Sequence, residues 1–407
     1  MLLQVNQSDG RRRRHIDSTK QFGRLLKVDL NSNQCRFSAF PETAVAYIGG
    51  RGFNVWYLYQ HLPSGTDPLA PENILLFSGG LLTGSSAPGS ARLHINALSP
   101  LTGILGSSNI GGYAGPWLRS CNIAAIIITG KSPKPVYLDI DSNGARLEDA
   151  AHLWGQDAFE TQDLIKQFHA KKKISVLAIG PGGENRVRFA AIMTERDHAA
   201  GRTGMGSVMG SKNLKALVIS KGDHKHFPAV TPSQKNAVKT YATKIKNSSE
   251  FDFFSKFGGA GYVKWANDFG IMGSKNYGKI GTRHIEKVDG RQLGEKKIRS
   301  SGCFRCPVQC KADLKLDRPD CDEVFTRPEF EPMINLGPKC GLDDLKQIIK
   351  LDNLCGRLGV DSTSAATVIA FAMDLAEKKN ITGRTGRRSG PCMGQCSNYG
   401  KASLPDG

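Results

Sequence analysis

Over its first half the chain alternates between short apolar runs and glycine-rich breaks. Leu25-Leu26-Lys27-Val28-Asp29-Leu30, Asn73-Ile74-Leu75-Leu76-Phe77 and Arg92-Leu93-His94-Ile95-Asn96-Ala97 come first. Ala124–Thr129, Val136–Ile140, Ile174–Ile179 and Leu214–Ile219 follow. Runs of this length between turn residues predict strands. Helical periodicity intervenes near Asn54–His61 and Asp157–His169. Beyond a basic, proline-marked joint at Lys221–Pro232 the strand signal fades. Leu342–Leu358 and Ser364–Lys379 then carry apolar residues at three- and four-residue steps. The pattern predicts an α+β protein with a sheet-rich domain over 21–225 and a mostly helical domain over 226–380. Residues 1–20 read as a disordered polar leader. Residues 381–407 read as a disordered tail with no helical period.

Composition sharpens this picture in three ways. Glycine is in excess, at 46 of 407 residues, and clusters in pairs beside Asn, Arg or Ser, as backbone that turns sharply or approaches a ligand requires. The formal charge of +18 is dispersed, with no helical stripe and no aromatic–basic alternation. That argues against nucleic acid and suits an acidic redox partner or a polyanionic cofactor. The densest basic run, Arg11–Arg14, is followed by polar residues, so no export signal is expected. The longest apolar run, Ile123–Ile128, is too short to span a bilayer. Ten cysteines without an export signal point to reduced thiols or metal ligands in a cytoplasmic protein.

The sharpest chemical feature is Cys303-Phe304-Arg305-Cys306-Pro307-Val308-Gln309-Cys310. Three thiolates in C-x2-C-x3-C spacing let one compact loop point sulfur at three corners of an iron–sulfur cube. Zinc is the competing reading, although zinc sites usually pair one C-x2-C with a second, distant pair. A [4Fe–4S] cluster wants a fourth ligand, and Cys321, Cys340 and Cys355 are all candidates. A second feature is a set of glycine-flanked polar segments: Gly89-Ser90-Ala91-Arg92, Ser108-Asn109-Ile110-Gly111-Gly112 and Ala199-Ala200-Gly201-Arg202-Thr203-Gly204. Each offers backbone N–H groups beside a guanidinium or an amide, which suits phosphate. None is a P-loop or a clean dinucleotide fingerprint. Together with the cysteines they suggest a phosphate-bearing redox cofactor.

These segments recur in a recognisable order. Gly49-Gly50-Arg51-Gly52, Pro71–Leu76, Thr83-Gly84 with Pro88-Gly89, Ser99–Gly103, Ser108–Pro116 and Ala200–Lys215 are followed by Cys303–Cys310, Pro328-Glu329-Phe330-Glu331 and Leu358-Gly359-Val360-Asp361. The series, covering about 21–380, resembles the tungsten-pterin aldehyde ferredoxin oxidoreductase family. The resemblance implies a saddle-like first domain of two sheets holding tungsten, or molybdenum, on two molybdopterins. It implies that Arg92, Asn109 and Gly111 touch the pterin phosphates or a bridging magnesium. By the same resemblance Ala200, Gly201, Arg202 and Gly204 line the second pterin, with Val360 and Asp361 in a further pterin motif. Cys303, Cys306 and Cys310 would be cluster ligands. Glu331, with Glu329 as the alternative, would be an active-site acid that exchanges a proton with an aldehyde hydrate. Electrons would pass to ferredoxin or another electron-transfer protein. A homodimer or a partner subunit is also compatible.

The pattern departs from the family in two places. Gly356 stands where the pterin motif has its first acid. The family's last cysteine segment has no counterpart, and the tail offers only Cys392 and Cys396. From about Arg384 the tail reads as a frameshifted product, because a shift of one base at Met393-Gly394 restores a family-like helix start. Two functions are therefore expected: an aldehyde oxidoreductase, incomplete in this chain, or a non-catalytic, cofactor-binding subunit that needs another chain.

Overall fold

The computed structural model describes residues 18–170, 173–223, 231–316 and 323–378. The elements of the first region run β1 (Arg24–Asp29), β2 (Gln34–Ala39), α1 (Gly50–His61), β3 (Leu75–Gly79), β4 (Leu93–Leu98), β5 (Leu105–Ile110), α2 (Ala114–Ser120), β6 (Ile123–Thr129), β7 (Val136–Ile140) and β8 (Ala145–Asp149). They continue with α3 (Ala158–Phe168), β9 (Ile174–Ala178), α4 (Pro181–Glu184), β10 (Ile192–Thr194), β11 (His198–Ala200), α5 (Met205–Ser211) and β12 (Leu214–Ser220). Two six-stranded sheets result, ordered β2-β1-β6-β3-β4-β5 and β11-β10-β9-β12-β7-β8. The apolar runs read from the sequence are their central strands, and β3, β9 and β12 are buried at every position. Such strands are covered on both faces, which is why they read as unbroken apolar stretches.

One apolar core joins the facing sides of the two sheets. Trp117 and Leu118 of α2 and Met205, Val208 and Met209 of α5 pack within it between strands of both sheets. On the outer face of the first sheet, Phe53, Tyr57 and Leu58 of α1 seal Leu76, Ala125 and Ile127. On the outer face of the second, Ile165 of α3 packs with Val176 and Val218. Helix α3 begins on a capping box in which Asp157 accepts from the Glu160 N–H and Glu160 returns to the Asp157 N–H.

The second region holds α6 (Pro232–Lys246), α7 (Ser249–Phe257), α8 (Val263–Asp268), a small hairpin of β13 (Gly273–Ser274) and β14 (Lys279–Ile280), and a three-stranded sheet of β15 (Lys297–Ser301), β16 (Lys311–Lys315) and β17 (Val324–Thr326). Helices α9 (Phe330–Leu336), α10 (Leu345–Leu358) and α11 (Ser362–Glu377) complete it. The two periodic segments read from the sequence are α10 and α11, each within a few residues. Short polar strands such as β5 and β15 were not expected. β5 (LGSSNI) carries no apolar alternation, and its place in the sheet comes from full antiparallel pairing with β4. The fold class is α+β, with mixed sheets first and helices after. The leader to residue 17 and the tail from 379, including Cys392 and Cys396, lie outside the described residues. Among the described residues no helix is long and apolar enough to cross a membrane.

Candidate active site at the junction of the two regions

The two regions meet along the turn between α10 and α11. Ala190 and Val360 form an antiparallel bridge. Ala191 N–H donates to Gly359 O at 2.8 Å and Asp361 N–H to Phe189 O at 3.0 Å. Gly359 has φ of +66° and a Cβ there would lie 2.7 Å from Gly180 N, so only glycine lets the turn approach this closely. The turn fixes Asp361, whose carboxylate caps α11 through the Thr363 and Ser364 N–H groups. The same carboxylate faces Arg202, with Nε at 3.1 Å.

The glycine-flanked polar segments read from the sequence lie at the edges of the sheets. Arg92 Nη1 donates to Asn109 Oδ1 at 3.0 Å, where β4 and β5 pair. Ser108 Oγ donates to Arg202 O at 3.1 Å and Ser99 Oγ to Thr203 O at 2.8 Å. These two bonds tie the 200–204 turn to the same edge. Arg92 and Arg202 are exposed, whereas Ala200 and Gly204 are buried. His94 Nδ1 and Thr203 Oγ1 are buried without a hydrogen-bond partner. The exposed guanidinium groups of Arg92 and Arg202 on these edges suit a phosphate-bearing ligand.

The cysteine loop lies between β15 and β16 and is clamped from three sides. Phe304 N–H donates to Gly112 O at 3.2 Å, Ser255 Oγ to Val308 O at 2.7 Å, and Arg327 Nη2 to Cys310 O at 2.5 Å. Arg305 and Gln309 take positive φ, a strained choice for such residues that keeps the loop tight. Gly111 meets the loop directly, since a Cβ there would sit 2.6 Å from Cys303 Sγ. Among the described residues no three His, Cys, Asp or Glu side chains lie close enough to hold a single metal ion. The all-thiol donor set of the loop suits an iron–sulfur cluster, with zinc as the competing occupant of such a set.

The sequence did not reveal His198. Its Nε2 lies 3.3 Å from Cys303 Sγ, and its Nδ1 lies 2.5 Å from Asp197 Oδ1. Asp197 Oδ2 in turn accepts from Ser301 Oγ at 2.8 Å. Burial would raise the Cys303 thiol, but the His198 hydrogen bond and charge outweigh it and hold the thiol at about 7. Burial would likewise lower His198, but Asp197 and Cys303 raise it to about 9. The only local sign was the Asp197-His198 pair just before the glycine segment, and nothing in it announces a partner 105 residues away.

Between the regions runs a cleft of about 210 Å³ lined by Asp197, Gly201, Lys311, Glu329, Asp352 and Asp361, among others. Of the two glutamates of the Pro-Glu-Phe-Glu segment, Glu331 is exposed in the first turn of α9 and takes no part in the wall. Glu329 does line the cleft. It pairs with Lys311 at 2.7 Å, and about a third of its side-chain surface, 34%, stays open. Burial by the surrounding protein would raise its carboxyl, yet the Lys311 charge and hydrogen bond hold it below the ordinary value. Asp352 keeps part of its surface open. Enclosure by protein raises its carboxyl to about 7, against the pull of Lys311. Gly356 has no room for a side chain, because a Cβ would stand 2.8 Å from the Phe159 ring.

Two of the three candidates for the fourth cluster ligand sit elsewhere. Cys340 and Cys355 are buried in the helical core and line an apolar cavity of about 170 Å³. Burial pushes their thiols up to about 11 and about 12. Cys321 lies outside the described residues.

Comparison with known proteins agrees with this geometry. Residues 25–221 match the aldehyde ferredoxin oxidoreductase N-terminal domain, and residues 236–391 match domains 2 and 3 of the same family. The tungsten-containing aldehyde ferredoxin oxidoreductase of Pyrococcus furiosus is 35% identical over 88% of this chain and 59% of its own length. An aliphatic sulfonate oxidoreductase WOR-like subunit from the same organism is 30% identical over 88% of this chain and 60% of its own length. The active-site complex BamBC of benzoyl coenzyme A reductase superimposes with a TM-score of 0.78 at 28% identity, covering 89% of this chain and 57% of that one. The chain thus spans about three fifths of the length of the curated relatives it matches. Its two matched segments follow each other in family order and meet at the cleft just described: the chain belongs to the aldehyde ferredoxin oxidoreductase family.

Proposed function

We propose that this chain is a redox protein that holds a tungsten, or molybdenum, bis-molybdopterin and a [4Fe–4S] cluster, and that it oxidises an aldehyde to a carboxylate. The observation that carries the reading is the contact of Cys303 with both His198 and Gly111. It sets the cysteine loop beside the end of β5, whose Asn109 accepts from Arg92 and whose Ser108, on the strand's other face, donates to the Arg202 carbonyl. Arg92, Asn109 and Gly111 would hold pterin phosphates with magnesium between them. Ala200, Gly201, Arg202, Gly204, Val360 and Asp361 would line the second pterin. Cys303, Cys306 and Cys310 would bind three irons. When bound, the metallopterin supplies a two-electron sink and the cluster a one-electron exit to a ferredoxin.

The protein's own part is to position and to move protons. An aldehyde and water become a carboxylate, three protons and two electrons, so a base must face the substrate. Glu329, not Glu331, has the right placement, because its carboxylate opens to the cleft while Lys311 keeps it ionised. The alternative, a cofactor-binding subunit completed by another chain, is favoured by the place of Cys340 and Cys355, since neither stands by the loop. Elemental analysis of the full chain purified without oxygen tests the first reading. Iron together with tungsten or molybdenum is expected, and one zinc per chain without iron would overturn it. Aldehyde-dependent reduction of a ferredoxin-like acceptor by that preparation separates enzyme from binding subunit.

A further inference from the structure

We propose that His198 is a positioning residue that donates its Nε2–H to the Cys303 sulfur and thereby raises the reduction potential of the bound cluster. The inference rests on the reading of Cys303, Cys306 and Cys310 as cluster ligands. Asp197 sets the ring: its carboxylate accepts the Nδ1 hydrogen at 2.5 Å, and its second oxygen is occupied by Ser301 Oγ at 2.8 Å. The other nitrogen faces sulfur at 3.3 Å. An iron-bound thiolate has no proton and can only accept, so with Nδ1–H on Asp197 the ring donates there from Nε2–H as an imidazolium, its charge balanced by the Asp197 carboxylate. An N–H directed at a ligand sulfur draws electron density from it and stabilises the reduced cluster.

The surroundings leave the ring no other arrangement. His198 is only 6% exposed, and Gly111 packs against both its ring and the sulfur, where a Cβ would lie 2.7 Å from His198 Cδ2. Direct ligation of iron by His198 does not fit. A nitrogen in hydrogen-bond contact with one cysteine sulfur shares that sulfur's corner of the cube and does not reach the fourth. The residue also begins β11, which runs into Ala200, Gly201 and Arg202. The strand that would line a pterin therefore starts on the cluster's own hydrogen-bond donor, with no intervening loop.

The test is the cluster midpoint potential, followed by electron paramagnetic resonance on the anaerobic full chain, in wild type, His198→Phe and His198→Gln. At the wild-type midpoint the reduced-to-oxidised ratio should fall about tenfold in His198→Phe, a shift of about 59 mV for a one-electron couple. His198→Gln keeps an amide N–H and should fall less. Electron–nuclear double resonance should show one exchangeable proton fewer in His198→Phe than in wild type and His198→Gln, because the Gly112 N–H bound to the same sulfur remains in all three. Should His198→Phe fail to fold, His198→Leu replaces it, with the same fall in potential and the same loss of one proton coupling expected. An unchanged potential and an unchanged proton signal, with iron content intact, overturn this role and leave the cluster reading standing. Loss of one iron per chain in folded His198→Gln overturns it in favour of direct ligation. A wild-type chain without any cluster overturns the cluster reading, and this role falls with it.

Discussion

The sheet region and the helical region close their cores to different degrees. In the first, β3, β9 and β12 are buried at every position, and even the buried Lys212 has protein carbonyls at Pro71 and Gly130 for its ammonium. In the second, α10 and α11 bury one face each. Leu354, Leu358, Val368 and Phe371 stay exposed, and an apolar cavity opens between the helices. Cysteine sets the interiors of both regions against their border. Thiols buried within a region, Cys121 among the sheets and Cys340 among the helices, are pushed up to about 11, whereas Cys303, which touches both regions, is brought down. The reactive groups belong to the border, where one region supplies the donor that the other lacks.

Thiol labelling offers the largest effect with which to break this contrast. At pH 8 a thiol at about 7 is mostly thiolate, while one at about 11 is ionised to roughly one part in a thousand. In metal-free protein, iodoacetamide should therefore modify Cys303 at least about tenfold faster than Cys340, since the weaker nucleophilicity of a low-pKa thiolate offsets part of the difference in ionisation, as read by peptide mass spectrometry. Equal rates would mean that the helical core opens as readily as the border.

A matched pair of substitutions measures the packing difference. Phe77 in β3 is fully buried, and Phe371 in α11 is 55% exposed. Phe77→Ala should cost about 3–5 kcal/mol, and Phe371→Ala less than about 1 kcal/mol, each by urea denaturation. Comparable losses would show that the exposed face of α11 is covered in solution. Next in size is Lys311→Met, which removes the ion pair of Glu329 and leaves it the Gly259 N–H and the more distant Arg327 charge. Loss of a fully buried partner costs more, but a third of this carboxylate faces the cleft, so about 1–3 kcal/mol is expected.

The sequence was most informative where one element suffices to explain itself. Ile123–Thr129 and Leu214–Ser220 announce central strands because both faces are covered. The repeat in Leu345–Leu358 announces a helix because one face is. The cysteine spacing was equally local. What stayed hidden depends on pairs distant in the chain: β5 is a strand only because β4 lies beside it, and His198 matters only because Cys303 folds onto it. Glu331 and Glu329 share one motif, and only the placement of Glu329 beside Lys311, distant in the chain, decides which reaches the cleft.

The smallest effect is a slope of stability with pH, and it sets two carboxylates of the border against each other. The Asp352 carboxyl is raised by burial to about 7, well above the ~4 of an unfolded chain. Between about pH 4 and 7 the folded protein thus holds a proton that the unfolded chain has released. Its contribution is full below about pH 4 and is lost as pH rises through about 7. Glu329 has the opposite sign, because its carboxyl is held below the ordinary value. Its contribution is present above that value and is lost only as pH falls beneath it. The two windows barely overlap, so variants can separate them. Asp352→Asn should flatten the decline in unfolding free energy between pH 4 and 7 and leave the acid limb below pH 4 intact. Glu329→Gln should soften the acid limb and, by removing a like charge that helps to raise Asp352, flatten the upper slope less than Asp352→Asn does. Denaturation midpoints at half-unit pH steps read both. If Asp352→Asn leaves the slope from pH 4 to 7 unchanged, water reaches that carboxyl freely and the cleft is more open than its walls suggest.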